Sequence, residues 1–267
     1  MRNFVKLMLA SLLVLALAFA LVGCGGQTDN EADQSGQPDV SADSKKLVVG
    51  TNATFAPFEM QEGSEFTGFD MDLIRAIGEV QGYEVVIQHM DFKALVPSVQ
   101  SDKIDAAIAG MSITAERLES VDFTEAYFDA GLIIAVHKDN QDILSTEDLN
   151  GKKLAAQNGT IGAAYCEEVK KADATTETRI FDDIGLAFME LEKGGVDAVV
   201  NDHPVTAYYL KTATDTKAKM VGDIFSAEDQ YGIAVKKGDT ELLNTLNEGL
   251  AKIKENGTYD DIYSKWF

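Results

Sequence analysis

The segment from Gly110 to Arg117 combines residue types that suit a carboxylate ligand. It follows the small, apolar run 104–108, which predicts a short buried strand. A glycine lets a ligand approach the backbone, and hydroxyls with free amide N–H groups at a helix start suit an anion. An arginine fork matches a carboxylate with two parallel hydrogen bonds. Gly110, Ser112 and Arg117 therefore predict a carboxylate clamp, while a capped helix with a solvated arginine is the alternative interpretation.

A free amino acid also presents an ammonium group, and Asp202 is the candidate residue to bind it. Asp202 follows the apolar run 198–200 and Asn201, and it precedes His203 and Pro204. An acidic residue at the carboxyl end of a strand faces the region where open α/β sheets bind their ligands. The alternative is that Asp202 caps the helix predicted to start at Pro204, since aspartate is a preferred N-cap residue.

The longer sequence around these residues carries an ordered set of motifs. They are TNATFAPFE (51–59), GFDMDL (68–73), MDF (90–92), VDFT (121–124) and ENGTYDDIYSKWF (255–267). With these motifs, the chain from about Lys46 to Phe267 resembles the polar amino-acid-binding proteins of bacterial ABC importers, the solute-binding family 3. Within that family it most closely resembles glutamine-binding protein and its arginine-binding relatives. The resemblance implies a protein that delivers a polar L-amino acid to the transmembrane subunits of an ABC permease.

The pattern of the chain predicts an α/β fold. Short apolar strands alternate with amphipathic helices from Lys46 onward, with strands predicted at 83–89, 104–108 and 231–235 among others. The resemblance implies a two-lobed, periplasmic-binding-protein-like fold of type II with the ligand in the interlobe cleft. Lobe 1 would comprise 45–130 and 229–267, and lobe 2 would comprise 131–228. The general rule for open α/β sheets also places a ligand at the carboxyl ends of the strands.

The resemblance also assigns roles to individual residues. It implies that Asp202 binds the ammonium group and that Phe55 and Phe92 hold the ligand side chain between their rings. Without the resemblance, the alternative is that Phe55 and Phe92 belong to the core, as is expected for Phe58, Phe69 and Phe123. The glycine turn 157–162, which includes Thr160, enters a predicted helix, and its N–H groups could reach the carboxylate from lobe 2.

Side-chain specificity is expected from three amides, Asn52, Gln157 and Asn201. Many relatives carry aspartate where Asn52 stands, and glutamine-binding protein carries lysine and histidine at the other two positions. A cationic ligand needs a carboxylate partner because a buried unpaired charge is costly. The amides therefore favour an uncharged polar ligand, most of all glutamine. A ligand such as arginine is the alternative, because Glu59 or Asp91 could still supply a negative charge.

The N-terminus predicts export and lipid anchoring. Arg2 and Lys6 precede the apolar run 7–22, which is short for a membrane-spanning helix. The run ends in LVGC, which resembles the lipobox of bacterial lipoproteins and makes Cys24 the predicted lipidation site. A lipoprotein signal peptide (1–23) and a polar, flexible tether (24–44) are therefore expected, with an uncleaved anchor or an ordinary secretory signal as alternatives. The mature protein would be extracytoplasmic and anchored to the cell membrane.

Composition narrows the classes of function further. The 267 residues carry a net charge of −21, which disfavours binding to nucleic acid or to a bare anionic membrane. The three histidines, at 89, 137 and 203, show no metal-ligand spacing, so neither a metal nor a cofactor is expected. A monomeric binding protein is the prediction, and an exported dehydratase on the same fold is the alternative. Cys166 is expected to be a buried, inert thiol.

Overall fold

The computed structural model describes residues 45–227 and 229–267. The predicted signal peptide (1–23), the predicted lipidation site Cys24 and the predicted tether (24–44) lie outside the described residues. Within the described part of the chain, no helix combines the length and the apolar character that crossing a membrane requires.

Strands and helices alternate along the described chain. The strands are β1 (Lys45–Thr51), β2 (Thr54–Phe55), β3 (Glu59–Glu62), β4 (Glu65–Thr67), β5 (Tyr83–His89), β6 (Ala106–Ala107), β7 (Val121–Phe123), β8 (Phe128–Asp129), β9 (Leu132–His137), β10 (Lys153–Gln157), β11 (Glu177–Phe181), β12 (Ala198–Asp202), β13 (Ala218–Phe225), β14 (Gln230–Tyr231) and β15 (Ala234–Lys236). The helices are α1 (Phe69–Gln81), α2 (Phe92–Gln100), α3 (Ala115–Ser120), α4 (Ile161–Ala172), α5 (Ile184–Glu192), α6 (His203–Thr212), α7 (Thr240–Glu255) and α8 (Thr258–Trp266). A 3-10 turn at Thr146–Leu149 precedes β10.

Two five-stranded sheets organise the molecule, with strand orders β5-β1-β6-β15-β7 and β11-β10-β12-β9-β13. In the first sheet β1 is parallel to β5 and β6, and β15 runs antiparallel between β6 and β7. In the second sheet β10 is parallel to β11 and β12, and β9 runs antiparallel between β12 and β13. The chain leaves the first sheet after 123, builds the second from 132 to 225, and returns at 234. The lobe boundaries given above lie between these segments and stay a prediction.

Helices cover the sheets and exclude water from their faces. Helix α1 packs on β5, α7 and α8, while α4 and α5 pack on β10 and β12. The aliphatic positions of these elements are buried, which supplies most of the favourable free energy of folding. The rings of Phe58 and Phe69 are fully buried and meet edge to face at 5.9 Å, and Phe123 is also buried.

The strand expected at 231–235 is divided in the structure, so that prediction was wrong. Tyr231 ends β14, which pairs with β8, and Ala234 begins β15 in the first sheet. Gly232 separates them and packs so closely that an added Cβ would lie 2.9 Å from Ile113 Cδ1. This division affects the candidate site, because Tyr231 lies outside β15 and its side chain can reach the second sheet.

The strand expected at 104–108 is shorter than predicted. Only Ala106 and Ala107 form the ladder of β6. The flanking backbone still follows β1, because the N–H groups of Asp105 and Ile108 donate to carbonyls of that strand at 2.8 and 3.0 Å. The strand therefore stops one residue before the chain turns at Ala109 and Gly110, where the candidate site begins.

Candidate functional site

A small cavity lies between side chains from the two sheets. It forms where the parallel strands β1, β10 and β12 end, as the general rule for open α/β sheets predicts. Its described lining comprises Phe55, Phe92, Gly110, Ser112, Arg117, Gln157, Thr160, Ile161 and Asp202. The structure thus brings most of the predicted ligand residues to one cavity, and their contact with a ligand stays a prediction.

The first sheet supplies the aromatic walls and a backbone corner. Phe55 ends β2 and Phe92 begins α2, and both rings are buried although they line the cavity. Gly110 has a φ of 52°, in the left-handed region that favours glycine. A Cβ on Gly110 would lie 3.1 Å from the Phe55 ring, so a side chain at this position would crowd the cavity wall.

Arg117 is oriented by its own helix and by both sides of the cavity. Thr114 caps α3 by accepting a hydrogen bond from the Arg117 N–H at 3.2 Å. The guanidinium donates from Nη1 to the Ser112 carbonyl at 2.6 Å and from Nη2 to the Gly159 carbonyl at 3.0 Å. It also lies over the Phe92 ring, 5.3 Å from the centroid. Because Gly159 follows β10, Arg117 joins the two halves of the site.

Asp202 holds the N-cap position of α6 but uses its carboxylate for a different contact. Its Oδ2 accepts a hydrogen bond from the Tyr231 hydroxyl, while Pro204 occupies the first turn of the helix. The capping interpretation of Asp202 is therefore only half correct, because the backbone position caps and the side chain faces the cavity. Tyr231 is a site residue that the sequence did not reveal, since nothing in its local pattern distinguishes it from a core tyrosine.

The charges at the cavity are complementary to those of a free amino acid. Burial raises the pKa of Asp202 to about 7, and the charge of Asp229 adds to that effect, whereas Tyr231 and Arg117 oppose it. Burial lowers the pKa of Arg117 and the charge of Asp202 acts the other way. An arginine remains cationic at physiological pH even so. The cavity thus offers a fixed cation and a carboxyl group that a nearby ammonium would ionise.

The amides of Asn52 and Gln157 are hydrogen-bonded to each other, and Gln157 lines the cavity. Gln157 Nε2 donates to Asn52 Oδ1 at 2.8 Å and to the Asp182 carbonyl at 3.2 Å, and Asn52 Nδ2 donates to the Met90 carbonyl at 3.0 Å. Among the described residues, no donor lies within hydrogen-bonding distance of the buried Gln157 Oε1. Gln157 lines the cavity, and a buried acceptor without a donor is costly, so a ligand N–H group that reached this oxygen would stabilise it.

Two predicted specificity residues are not among the described residues that line the cavity. Asn52 acts on the cavity through Gln157. Asn201 lies beside Asp202 on β12, and its Nδ2 donates to Thr206 Oγ1 at 3.2 Å within the start of α6. Its contact with a ligand stays a prediction that this placement does not favour. Ile161, the first residue of α4, lines the cavity without having been expected, because an apolar residue at a helix start carries no polar signal.

Other reactive groups of the described chain lie away from the cavity. Cys166 is fully buried on α4, and burial raises the pKa of its thiol to about 12, which opposes the lowering expected near a helix start. Among the described residues, no group of histidine, cysteine and acidic side chains could hold a metal ion.

Comparisons with known proteins agree with this geometry. Residues 47–267 match the model of the bacterial extracellular solute-binding proteins, family 3. The arginine-binding extracellular protein ArtP of Bacillus subtilis (strain 168) is 33% identical over 263 residues, 98% of each chain. The ABC transporter glutamine-binding protein GlnH of the same organism is 33% identical over 276 residues, 100% of this chain and 97% of the relative.

Solved structures share the same architecture. An ancestral arginine-binding protein bound to arginine is 45% identical, with a TM-score of 0.80 over 83% of this chain and 98% of that chain. This similarity, together with the match to the family, confirms the predicted α/β, two-lobed fold of type II with its interlobe cleft. The resemblance to glutamine- and arginine-binding proteins of ABC transporters is confirmed as well.

Proposed function

Because the chain belongs to family 3 of the bacterial extracellular solute-binding proteins, we propose that it captures a free polar L-amino acid, foremost glutamine, for an ABC importer. The observation that carries the proposal is the meeting of Arg117 and Asp202 at one cavity. A zwitterion needs a cation for its carboxylate and a carboxylate for its ammonium group, and these two residues offer both.

The carboxylate and ammonium groups of the ligand would bind between Arg117 and Asp202. Arg117 and Ser112 would bind the carboxylate from the first sheet, and the N–H groups at the start of α4, near Thr160, would approach it from the second. Asp202 would bind the ammonium group next to the backbone of Gly110. Losing one partner of such a buried charge pair costs about 3–5 kcal/mol.

The ligand side chain would extend between Phe55 and Phe92 towards Gln157. Of the described residues that line the cavity, Asp202 alone carries a carboxylate, and it serves the ammonium group. The far end offers the amide oxygen of Gln157, which suits the amide N–H of glutamine and cannot neutralise a guanidinium. Asp91 is exposed, and Glu59 is buried outside the described lining, so neither supports the arginine alternative.

The same lining supports a protein that binds its ligand without catalysing a reaction. Arg117 and Asp202 are the ionisable groups among the described lining residues, and the ligand's carboxylate and ammonium would occupy both. A dehydratase would need a further general acid above the ligand side chain, where Gln157 cannot titrate. Delivery to the permease would follow from a monomer held at the membrane by lipid on Cys24, with the tether 24–44 giving it reach.

A thermal-shift screen of the 20 amino acids against the purified protein tests the proposal. A ligand that binds only the folded state raises the Tm, and we expect L-glutamine to raise it most. Arg117→Ala should abolish the shift. Arg179→Ala is the matched control, because Arg179 pairs with Glu190 on the surface of the second sheet and should retain the wild-type shift.

Each other outcome of the screen has a defined meaning. If no amino acid raises the Tm, or if Arg117→Ala shifts as the wild type does, the binding site is not this cavity. If L-arginine raises the Tm more than L-glutamine does, the proposed function stands and the proposed ligand changes to arginine. Turnover of prephenate or arogenate by the same preparation would contradict a protein that only binds.

A further inference from the structure

A buried carboxyl group lies behind the part of the cavity wall that Gly110 forms. Asp70, in the first turn of α1, is fully buried, and its Oδ2 accepts hydrogen bonds from the Gly110 N–H and from the Tyr127 hydroxyl, both at 2.8 Å. Gly110 itself lines the cavity. Asp70 therefore fixes the peptide group that precedes Gly110, and with it the backbone corner that a ligand would meet.

A second carboxyl group, Glu59 of β3, faces Asp70 and is also fully buried. The two carboxyl groups lie close enough to affect each other's pKa. Among the described residues, no donor reaches either oxygen of Glu59 or Oδ1 of Asp70. Two ionised carboxylates would both be acceptors, so this contact is favourable only when a proton lies between them.

The environment places that proton on Glu59. Burial raises the pKa of Glu59 well above its usual range, and the negative charges of Asp70 and Asp202 raise it further. Burial raises the pKa of Asp70 only to about 6, because the hydrogen bonds from Gly110 and Tyr127 stabilise its ionised form. The surroundings therefore favour the ionised form at Asp70 and the protonated form at Glu59.

Resting on the proposed function, we propose that Asp70 is a positioning residue for the ligand's ammonium group, acting through the backbone of Gly110, and that Glu59 carries the proton of the pair. The carboxylate of Asp70 holds Gly110 in its left-handed conformation and adds one negative charge behind the ammonium end of the cavity. A protonated Glu59 keeps a second charge out of a buried site, where it would be costly.

Ligands with and without the ammonium group distinguish this role from a structural one. We would measure Kd by calorimetry at pH 7.5 for L-glutamine and glutaramic acid, and for L-arginine and 5-guanidinopentanoic acid. Asp70→Ala should weaken binding of the amino acid about 10- to 100-fold and weaken the desamino analogue much less. Asp70→Asn should recover part of the loss, because its Oδ1 can still accept from Gly110. Glu59→Gln should stay within about threefold, since it replaces a neutral group by another.

Asp72→Asn is the matched control on the same helix. Asp72 Oδ2 accepts from Lys265 and Trp266 on α8 and lies on another face of α1, so its loss should leave both Kd values unchanged. Equal losses for the amino acid and its desamino analogue in Asp70→Ala, or a loss in Glu59→Gln as large as in Asp70→Ala, would overturn the inference alone. A wild-type protein that binds none of the four ligands would overturn the proposed function and the inference with it.

Discussion

At the scale of single residues, Asp202 shows how burial prepares a group for its partner. Burial raises the pKa of this carboxyl group to about 7 even though Arg117 opposes the rise, so in the ligand-free protein Asp202 readily takes up a proton near neutral pH. A ligand ammonium within a few ångströms would lower that pKa, as opposite charges do. Ligand binding and ionisation of Asp202 are therefore coupled in the proposed site, and the coupling has a definite sign.

We expect affinity for the amino acid to fall as the pH drops below about 7. Below that value the free protein holds a proton on Asp202 that the ligand must displace. Kd should therefore rise as the pH falls, by nearly tenfold for each pH unit. Above it Kd should be nearly constant. Calorimetry between about pH 5.5 and 8 gives the profile. Asp202→Asn should bind weakly at every pH with a flatter profile, and a wild-type Kd that does not change over this range would refute the coupling.

A substitution at Asn52 tests the preference for glutamine over arginine. Asn52→Asp keeps the acceptor for Gln157 Nε2 and adds a negative charge, so it should shift preference from glutamine towards arginine. A charge-assisted hydrogen bond contributes about 1.5–3 kcal/mol against about 1 for a neutral one, which makes the shift about one decade in the ratio of the two Kd values. Asn140→Asp adds the same charge at a half-buried turn after β9, where Oδ1 accepts from the Asp142 and Ile143 N–H groups, and it should leave the ratio unchanged.

An unchanged ratio in Asn52→Asp would show that the Asn52–Gln157 pair does not face the ligand side chain. A wild-type protein that already prefers arginine would show that another carboxylate reaches the cavity. In that case the glutamine assignment fails while the amino-acid site itself stands.

The composition of the site could be predicted better than its geometry. Arg117 and Asp202 follow from residue chemistry at the ends of predicted elements. Asn201 is predicted as a specificity residue from the resemblance, and its ligand contact stays a prediction, which the alternation of side chains along a strand does not favour because its neighbour Asp202 lines the cavity. Tyr231 and Asp70 reach the site through contacts distant in sequence, which no local pattern encodes.

At the scale of secondary structure, polar contacts between surface side chains join elements of the two sheets. Lys93, in the first turn of α2, forms an ion pair of 2.9 Å with Asp182, which follows β11. Asn158 Nδ2 also donates to Asp182 Oδ1 at 3.0 Å and holds it in place. These contacts belong to a closed arrangement, because they would break if the two sheets moved apart.

We expect the Lys93–Asp182 pair to contribute little and to depend on salt. Both side chains are about half exposed, and exposed pairs are weak and screened by ions. Lys93→Met should raise the ligand Kd by less than about fivefold and should reduce the dependence of Kd on sodium chloride. Lys153→Met is the control, because Lys153 is equally exposed and pairs with Glu177 within one sheet. Equal salt dependence in wild type and Lys93→Met would contradict a role for the pair in closure.

Elements with a strong pattern could be predicted to within a few residues. Strand β5 coincides with the expected 83–89, and α1 ends at Gln81 before the left-handed Gly82. The short strands β2, β3 and β4 could not, because the stretch 54–67 has no regular alternation and its pairing is set by tight turns. The break at Gly232 depends on close packing against Ile113, which is a tertiary effect.

At the scale of the whole molecule, we propose that the two-lobed fold is joined to a lipid anchor near the N-terminus. Cys24→Ala should abolish lipidation and move the protein from the detergent phase to the aqueous phase on fractionation of expressing cells. The second cysteine of the chain provides the control, because Cys166→Ala alters a fully buried thiol and should leave the partitioning unchanged. Equal partitioning of wild type and Cys24→Ala would rule out the lipoprotein interpretation.

The two sheets, the aromatic walls and the paired charges all serve one proposed act, which is closure on a zwitterion. A crystal structure of the protein grown with L-glutamine measures this most directly. We expect one ligand in the cavity, with its carboxylate about 3 Å from the Arg117 guanidinium and its ammonium group about 3 Å from the Asp202 carboxylate. A ligand bound in the reverse orientation, or bound away from this cavity, would contradict it.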